Sequence, residues 1–209
     1  MAYLILIRHG LTDWNSAGRW QGLTDIPLNE EGREQARQAA ETIRDIKVDL
    51  GFTSVLKRTQ QTSEEICNKL GHSCPVFAES ALNERDYGIY TGKNKWEVKK
   101  ELGEKEFSKL RRGWNQKILQ GESLKDVYNR VVLFYRQKIL PEIKKSKNIM
   151  VVSSGNTLRA LIKYLENISD KDSTSFELNF GEVRIYQLND KGKIISKEVR
   201  GSDLYKGKH

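Results

Sequence analysis

The stretch Tyr3-Leu4-Ile5-Leu6-Ile7-Arg8-His9-Gly10 decides how the chain is read. A continuous β-prone apolar run fits a strand buried on both faces, as central parallel strands are, better than an edge strand. It delivers a histidine into a glycine-permitted turn with a fixed positive charge beside it, which suits an imidazole that meets a phosphoryl group. A strand-end histidine is equally often a packed structural residue, so the rest of the chain has to decide.

Outward from this run, Asn29 offers an N-cap, and Ala36, Ala39, Ala40, Ile43 and Ile46 follow at helical spacing. Val48-Asp49-Leu50-Gly51-Phe52-Thr53-Ser54 reads as a short strand leading into a helix from about Leu56 to Leu70. Val76-Phe77, after Pro75, reads as another short strand. Residues 84–120 are rich in charge and tryptophan but weak in strand signals, and predict an insertion of short helices covering the active face. Glu122 to Ile143 carries an amphipathic helical pattern that Pro141 is expected to end or kink. Ile149-Met150-Val151-Val152-Ser153 is a second buried strand, and Gly155-Asn156 leads into a helix carrying Leu158, Ala160, Leu161, Ile162 and Leu165. Val183 to Leu188 is expected as the last strand, and Ser202 to His209 as a loose tail.

Alternating strands and helices predict an α/β fold, a three-layer sandwich with a mostly parallel central sheet flanked by helices, as one domain over residues 1–209. Ligands of such sheets gather beyond the carboxyl ends of the strands, where Arg8, His9, the turn before Arg58 and Ser153-Ser154-Gly155 all fall.

The 36 basic and 28 acidic residues leave a formal net charge of +8, which draws anionic partners. Lysine-rich stretches such as Lys93 to Lys109 and Lys144-Lys145-Ser146-Lys147 read as solvated faces, and no aromatic-interleaved platform accompanies them, so nucleic acid is not an expected partner. Cys67 and Cys74 match no zinc or redox spacing and read as free thiols in a reducing compartment. The longest apolar run is too short for a signal peptide or a membrane span, which predicts a cytoplasmic protein with no membrane partner. Three histidines and two cysteines make no ligand-spaced cluster, so no metal is expected.

The chemistry near the opening run is coherent on its own terms. A neutral imidazole is a competent nucleophile, and positive charge from Arg8 and Arg58 lowers its pKa and keeps it unprotonated near neutrality. The same guanidinium groups suit the non-bridging oxygens of a phosphoryl group. Gly155-Asn156, at the start of a helix, can present free backbone N–H groups to an anion, or can form an ordinary strand-to-helix turn.

The longer string Leu6-Ile7-Arg8-His9-Gly10-Leu11-Thr12-Asp13-Trp14-Asn15, with Gly18-Arg19-Trp20-Gln21-Gly22 and Pro27-Leu28-Asn29-Glu30-Glu31-Gly32, resembles the signature of the histidine phosphatase, or phosphoglycerate mutase-like, superfamily. Thr53-Ser54-Val55-Leu56-Lys57-Arg58-Thr59 is similar to that family's second arginine segment, and Leu82-Asn83-Glu84-Arg85-Asp86-Tyr87-Gly88 to its acid/base segment. Gly92-Lys93-Asn94-Lys95, Leu110-Arg111-Arg112 and Gly155-Asn156-Thr157-Leu158-Arg159-Ala160-Leu161 are similar to stretches of the 2,3-bisphosphoglycerate-dependent phosphoglycerate mutases.

The resemblance implies that His9 accepts the phosphoryl group and that Glu84 serves as proton donor and later as base, unless Glu84 is a surface carboxylate paired with Arg85. It implies that Tyr87, Lys95, Arg111 and Arg112 hold a small phosphorylated carboxylate, and that Asn15, Gln21 and Gly22 line the phosphate pocket. It also implies 2,3-bisphosphoglycerate as the priming donor and a homodimer.

One position departs sharply. Ser153-Ser154-Gly155 stands where the family pattern has a second histidine before the glycine, and a serine brings no charge to the phosphoryl group. Loss of one preorganised donor of this kind costs on the order of 10²–10³ in rate. Gln21 leans toward the phosphatase branch. Three functions therefore stay open: a mutase impaired at Ser154, a broad phosphatase in which water takes the phosphoryl group, and a catalytically silent binding protein.

Overall fold

The computed structural model describes residues 1–71, 74–174 and 178–201. Strand β1 (Ala2–Arg8) lies at the centre of a six-stranded sheet whose order is β3-β2-β4-β1-β5-β6. The other strands are β2 (Leu50–Thr53), β3 (Val76–Ala78), β4 (Ile149–Ser153), β5 (Val183–Leu188) and β6 (Ile194–Arg200). β1 runs parallel to β4, and β2 runs parallel to both β4 and β3, while β5 is antiparallel to β1 and β6 antiparallel to β5. The sheet is thus mixed, with a parallel half that carries the site.

The unbroken apolar run of β1 serves both faces of the sheet. Leu4 and Leu6 pack with Val127, Val131, Leu158 and Leu161, whereas Ile5 and Ile7 pack with Ala36, Ala40, Ile43 and Ile66. The first set belongs to the layer of α5 (Leu124–Phe134) and α7 (Gly155–Leu165), the second to that of α2 (Glu30–Thr42) and α3 (Lys57–Leu70). A one-turn helix, α1 (Asp13–Ser16), follows the His9 loop. Asn29 caps α2 as expected, its side chain accepting from the Gly32 N–H at 2.9 Å.

The segment 84–120 holds short helices, as expected: a 3-10 turn at Gly88–Tyr90 and α4 (Lys95–Arg112), which is two helical pieces joined at Gly103, where φ is 75° and ψ 163°. Two parts of the chain differ from the sequence expectation, the helix that meets Pro141 and the last strand. The helix after Ser123 does not end at Pro141: α5 passes through a widened π turn at Tyr135–Ile139 into α6 (Leu140–Lys144), with Pro141 in the first turn of α6. The proline lacks an N–H to donate, and a first helical turn is where that loss is tolerated. β5 is not the last strand, because β6 returns along it after a turn at Asn189 to Gly192. β6 is exposed over most of its length, so it lacks the apolar alternation that marks a strand in sequence. The tail Ser202 to His209 and His72 lie outside the described residues.

Candidate active site

Gly10 is needed for close approach and not for a left-handed backbone. A Cβ there would sit 2.1 Å from the carbonyl oxygen of Gly32, and one on Gly32 would meet the Leu11 carbonyl at the same 2.1 Å. The loop is further tied to α2 by the Leu11 N–H donating to Gln35 Oε1 at 2.8 Å, and to α3 by the Gly10 N–H donating to Thr62 Oγ1 at 3.2 Å. His9 is thereby held at the carboxyl end of β1, its own N–H donating to the Ser153 carbonyl at 3.0 Å.

The His9 ring is 3% exposed, and its Nδ1 lies 2.7 Å from the Gly10 carbonyl oxygen. A carbonyl only accepts, so Nδ1 carries the proton and Nε2 carries the lone pair. Burial, then the charges of Arg58 and Arg8, push the imidazolium pKa well below its ordinary value, against a small opposing effect of the Gly10 hydrogen bond. The ring is therefore a neutral nucleophile with its free nitrogen already defined.

Arg58, fully buried in the first turn of α3, donates from Nη1 to the Thr24 carbonyl at 2.9 Å and from Nη2 to the Gly22 carbonyl at 2.8 Å. Its fork thus holds the Gly22–Thr24 loop, and Nε is buried without a partner. Arg8 behaves alike: Nη1 donates to the Leu178 carbonyl, the guanidinium lies over the Phe180 ring at 3.7 Å, and Nε is buried without a partner. Both Nη groups of Arg58 and Nη1 of Arg8 are thus committed to carbonyls, and in each arginine Nε is left without a partner.

Glu84 follows the turn Ser80–Leu82 after β3, and its Oε1 accepts the Arg85 backbone N–H at 2.7 Å. It is not paired with the Arg85 side chain. That guanidinium is fully buried and donates to the carbonyls of Leu110, Gln116 and Glu122 at 3.0, 2.9 and 2.8 Å. Arg85 ties α4 and the loop after it to the sheet, leaving Glu84 at the cavity wall.

Tyr87 stacks on Trp20 with ring centres 5.5 Å apart, and both belong to a cluster with Val98, Phe107, Leu110 and Ile118. The loop Gly18–Gly22 is laced to the start of α4 by the Lys95 N–H on Gly18 O at 2.9 Å and the Gly92 N–H on Trp20 O at 2.8 Å. These contacts set Lys95 at one end of α4 and Arg111 and Arg112 at the other against the same cavity. Burial, then Arg111 and Arg8, push the Lys95 ammonium down to about 8. Burial and the neighbouring Arg159 and Arg111 also lower Arg112.

The cavity enclosed by these groups has a volume of about 430 Å³. It brings together Arg8, His9, Asn15, Gln21, Gly22, Arg58, Glu84, Tyr87, Lys95, Arg111, Arg112, Gly155 and Asn156. Ser154 is the exception among the expected residues, since it does not line the wall. It is the N-cap of α7, fully buried, with an Oγ that caps nothing and finds no partner. Its neighbour Gly155 does line the cavity.

Reading the sequence missed Arg159, Arg19, Trp96 and Phe180 as lining residues. Arg159 had a visible signal: a charged residue between Leu158 and Leu161 on a helix otherwise buried among apolar neighbours. Among the described residues, no group of three or more histidine, cysteine, aspartate or glutamate side chains could hold a metal ion, and no helix is long and apolar enough to cross a membrane. Cys67 and Cys74 are free thiols.

The family model described as histidine phosphatase superfamily (branch 1) matches residues 4–199. The chain belongs to this superfamily. It is 38% identical over 191 residues to a 2,3-bisphosphoglycerate-dependent phosphoglycerate mutase of Cytophaga hutchinsonii, covering 91% of this chain and 90% of that one. Among solved structures, it is similar to Bacillus stearothermophilus YhfR at 25% identity and a TM-score of 0.83, covering 97% and 98% of the two chains. The alpha-ribazole phosphatase of Shigella flexneri is 28% identical with a TM-score of 0.77, covering 90% of this chain and 92% of that one. Membership of this superfamily supports an enzyme class at the level of the family; proteins named as mutases and as phosphatases both stand among its relatives.

Proposed function

We propose that the chain is a 2,3-bisphosphoglycerate-dependent phosphoglycerate mutase that interconverts 3- and 2-phosphoglycerate through phospho-His9, with turnover held low by Ser154. The observation that carries this reading is the set of Lys95, Arg111 and Arg112 on α4 facing the same cavity as His9, Arg8 and Arg58. A phosphatase acting on a monoester needs cations for one phosphate. A second cationic set suits a substrate that carries a carboxylate as well.

His9 Nε2 attacks phosphorus, the bond from phosphorus to the donor oxygen breaks, and Glu84 gives a proton to that oxygen. In the return step a substrate hydroxyl attacks phospho-His9, Glu84 takes its proton, and the phosphorus–nitrogen bond breaks. Arg8 Nε and Arg58 Nε, both buried and unpartnered, fit the non-bridging oxygens of the group in flight. The same unsatisfied donors and the cationic wall fit 2,3-bisphosphoglycerate, which when bound supplies the phosphoryl group that loads His9. Ser154 contributes no charge to this step.

The chain is incubated with 3-phosphoglycerate and a catalytic amount of 2,3-bisphosphoglycerate, and 2-phosphoglycerate and inorganic phosphate are followed by phosphorus NMR. Slow isomerisation is expected, rising by on the order of 10²–10³ in S154H, the scale of one restored oxyanion donor. Phosphate release without isomerisation in both proteins replaces the mutase with the phosphatase reading, which the Shigella flexneri relative favours. Ligand binding with no gain in S154H leaves a binding protein. The homodimer and cytoplasmic placement belong to the same proposal, and sedimentation and fractionation test them.

A further inference from the structure

Asn156 and Arg159 stand one helical turn apart on α7, on the same face, and both line the cavity. Arg159 Nη1 donates to Asn156 Oδ1 at 2.6 Å, and Asn156 Nδ2 donates to the Tyr87 hydroxyl at 2.7 Å. All three residues are nearly closed to solvent, with exposures of 5% for Arg159, 6% for Asn156 and 7% for Tyr87.

The direction of these bonds is forced. A guanidinium has donors only, so the Asn156 oxygen must face it and the amide nitrogen must face Tyr87. The Tyr87 oxygen therefore accepts, and its one proton is released to point elsewhere. Were the amide turned over, its oxygen would take that proton and the tyrosine would offer the cavity nothing. The Tyr87 ring cannot swing away, being stacked on Trp20 at 5.5 Å and lying under the Arg85 guanidinium at 5.6 Å.

We propose that Arg159 is a positioning residue: by fixing the Asn156 amide it aims the Tyr87 hydroxyl proton at an anionic oxygen of the ligand other than those of the phosphoryl group in transfer. This rests on the phosphoglycerate reading, in which that oxygen belongs to the substrate carboxylate. Burial and the nearby Glu84 raise the tyrosine pKa, which keeps the hydroxyl protonated as a donor needs. The consequence is selectivity: the relay favours a phosphorylated carboxylate over phosphate alone.

The test is titration calorimetry of wild type, R159K, Y87F and R159K/Y87F with 3-phosphoglycerate and with inorganic phosphate. R159K keeps the charge but loses the Nη1–H that holds the amide. R159K and Y87F are each expected to weaken 3-phosphoglycerate by about tenfold, the scale of one hydrogen bond to a charged group, with phosphate changed less than about threefold. The double variant is expected to fall no further than Y87F, because both act through one hydroxyl. Wild-type affinity in R159K, additive losses in the double variant, or equal losses for both ligands would overturn the relay. Should R159K melt below the assay temperature, R159Q takes its place and is read by the same ratio of the two ligands. A ligand-free arm separates this inference from the proposed function. NMR should show the Asn156 side-chain amide protons exchanging slowly in wild type and rapidly in R159K, and equal exchange sinks the relay even if 3-phosphoglycerate binds. Slow exchange in wild type alone, with no 3-phosphoglycerate binding, sinks the mutase reading and leaves the relay standing.

Discussion

His9 enters the folded state as a neutral ring surrounded by two guanidinium groups, and that has a consequence for stability as well as for reactivity. Its pKa is depressed in the fold by burial and by Arg58 and Arg8, while in the unfolded chain it returns to about 6.5. The unfolded chain therefore binds the extra proton first as pH falls. Stability is intact above about 6.5 and is lost progressively below it, until the folded ring itself protonates. H9N keeps a similar shape without the titration. Urea unfolding at pH 7.5 and pH 5 should show wild type losing more stability than H9N on acidification, and equal losses would contradict the buried neutral ring. At this scale the sequence displayed the nucleophile and its two arginines openly. It hid how each arginine is used, because the fork of Arg58 is committed to Gly22 and Thr24 by a fold the residue list does not contain.

At the scale of elements, the C-terminal end of α4 is tied to the loop after β3 by one side chain, in addition to the apolar cluster and the backbone contacts at its start. Arg85 donates to three carbonyls on either side of the helix end, at Leu110, Gln116 and Glu122. Removing it leaves one buried acceptor, at Leu110, and two partly buried ones, at Gln116 and Glu122, to find water, and frees the segment that carries Arg111 and Arg112. R85M should cost roughly 3–5 kcal/mol in denaturant unfolding, the range for breaking a buried polar network. Limited proteolysis should then cut near 110–120 before the rest of the chain. Uncut protein of wild-type stability would show that the apolar cluster around Trp20 and Phe107 holds α4 unaided. The central strands and the amphipathic helices were legible because burial on one or two faces writes a period into the sequence. β6 was not, since it is exposed over most of its length.

For the whole molecule, the net charge of +8 and the cationic cavity act on different parts of binding. Surface lysines such as Lys47, 79% exposed at its side chain, attract anions from a distance and are screened beyond about 8–10 Å at physiological salt. Buried cations hold the ligand at short range. Raising sodium chloride from about 20 to 200 mM should slow association with 3-phosphoglycerate several-fold and change dissociation little, as stopped-flow measurements would show. A dissociation rate that rises as steeply as association falls would mean that the cavity cations are solvated too. The three-layer architecture could be inferred because it follows from alternation of elements. The antiparallel setting of β5 could not, since its largely buried pattern does not say which way its neighbour runs, and the exposed β6 left no pattern to read.

The contact of Gly10 with Gly32 bears on what variation this molecule can accept. Each missing Cβ is replaced by backbone of the other segment, so the two positions form a lock with no compensating pair. In a saturation library both sites should return glycine alone, and no second change at the partner should rescue a first. Substitution can remodel the far wall of the cavity, along α4, and so alter what is recognised. The address of the nucleophile is set first by contact between main-chain atoms, with the side chains of Gln35 and Thr62 bracing it.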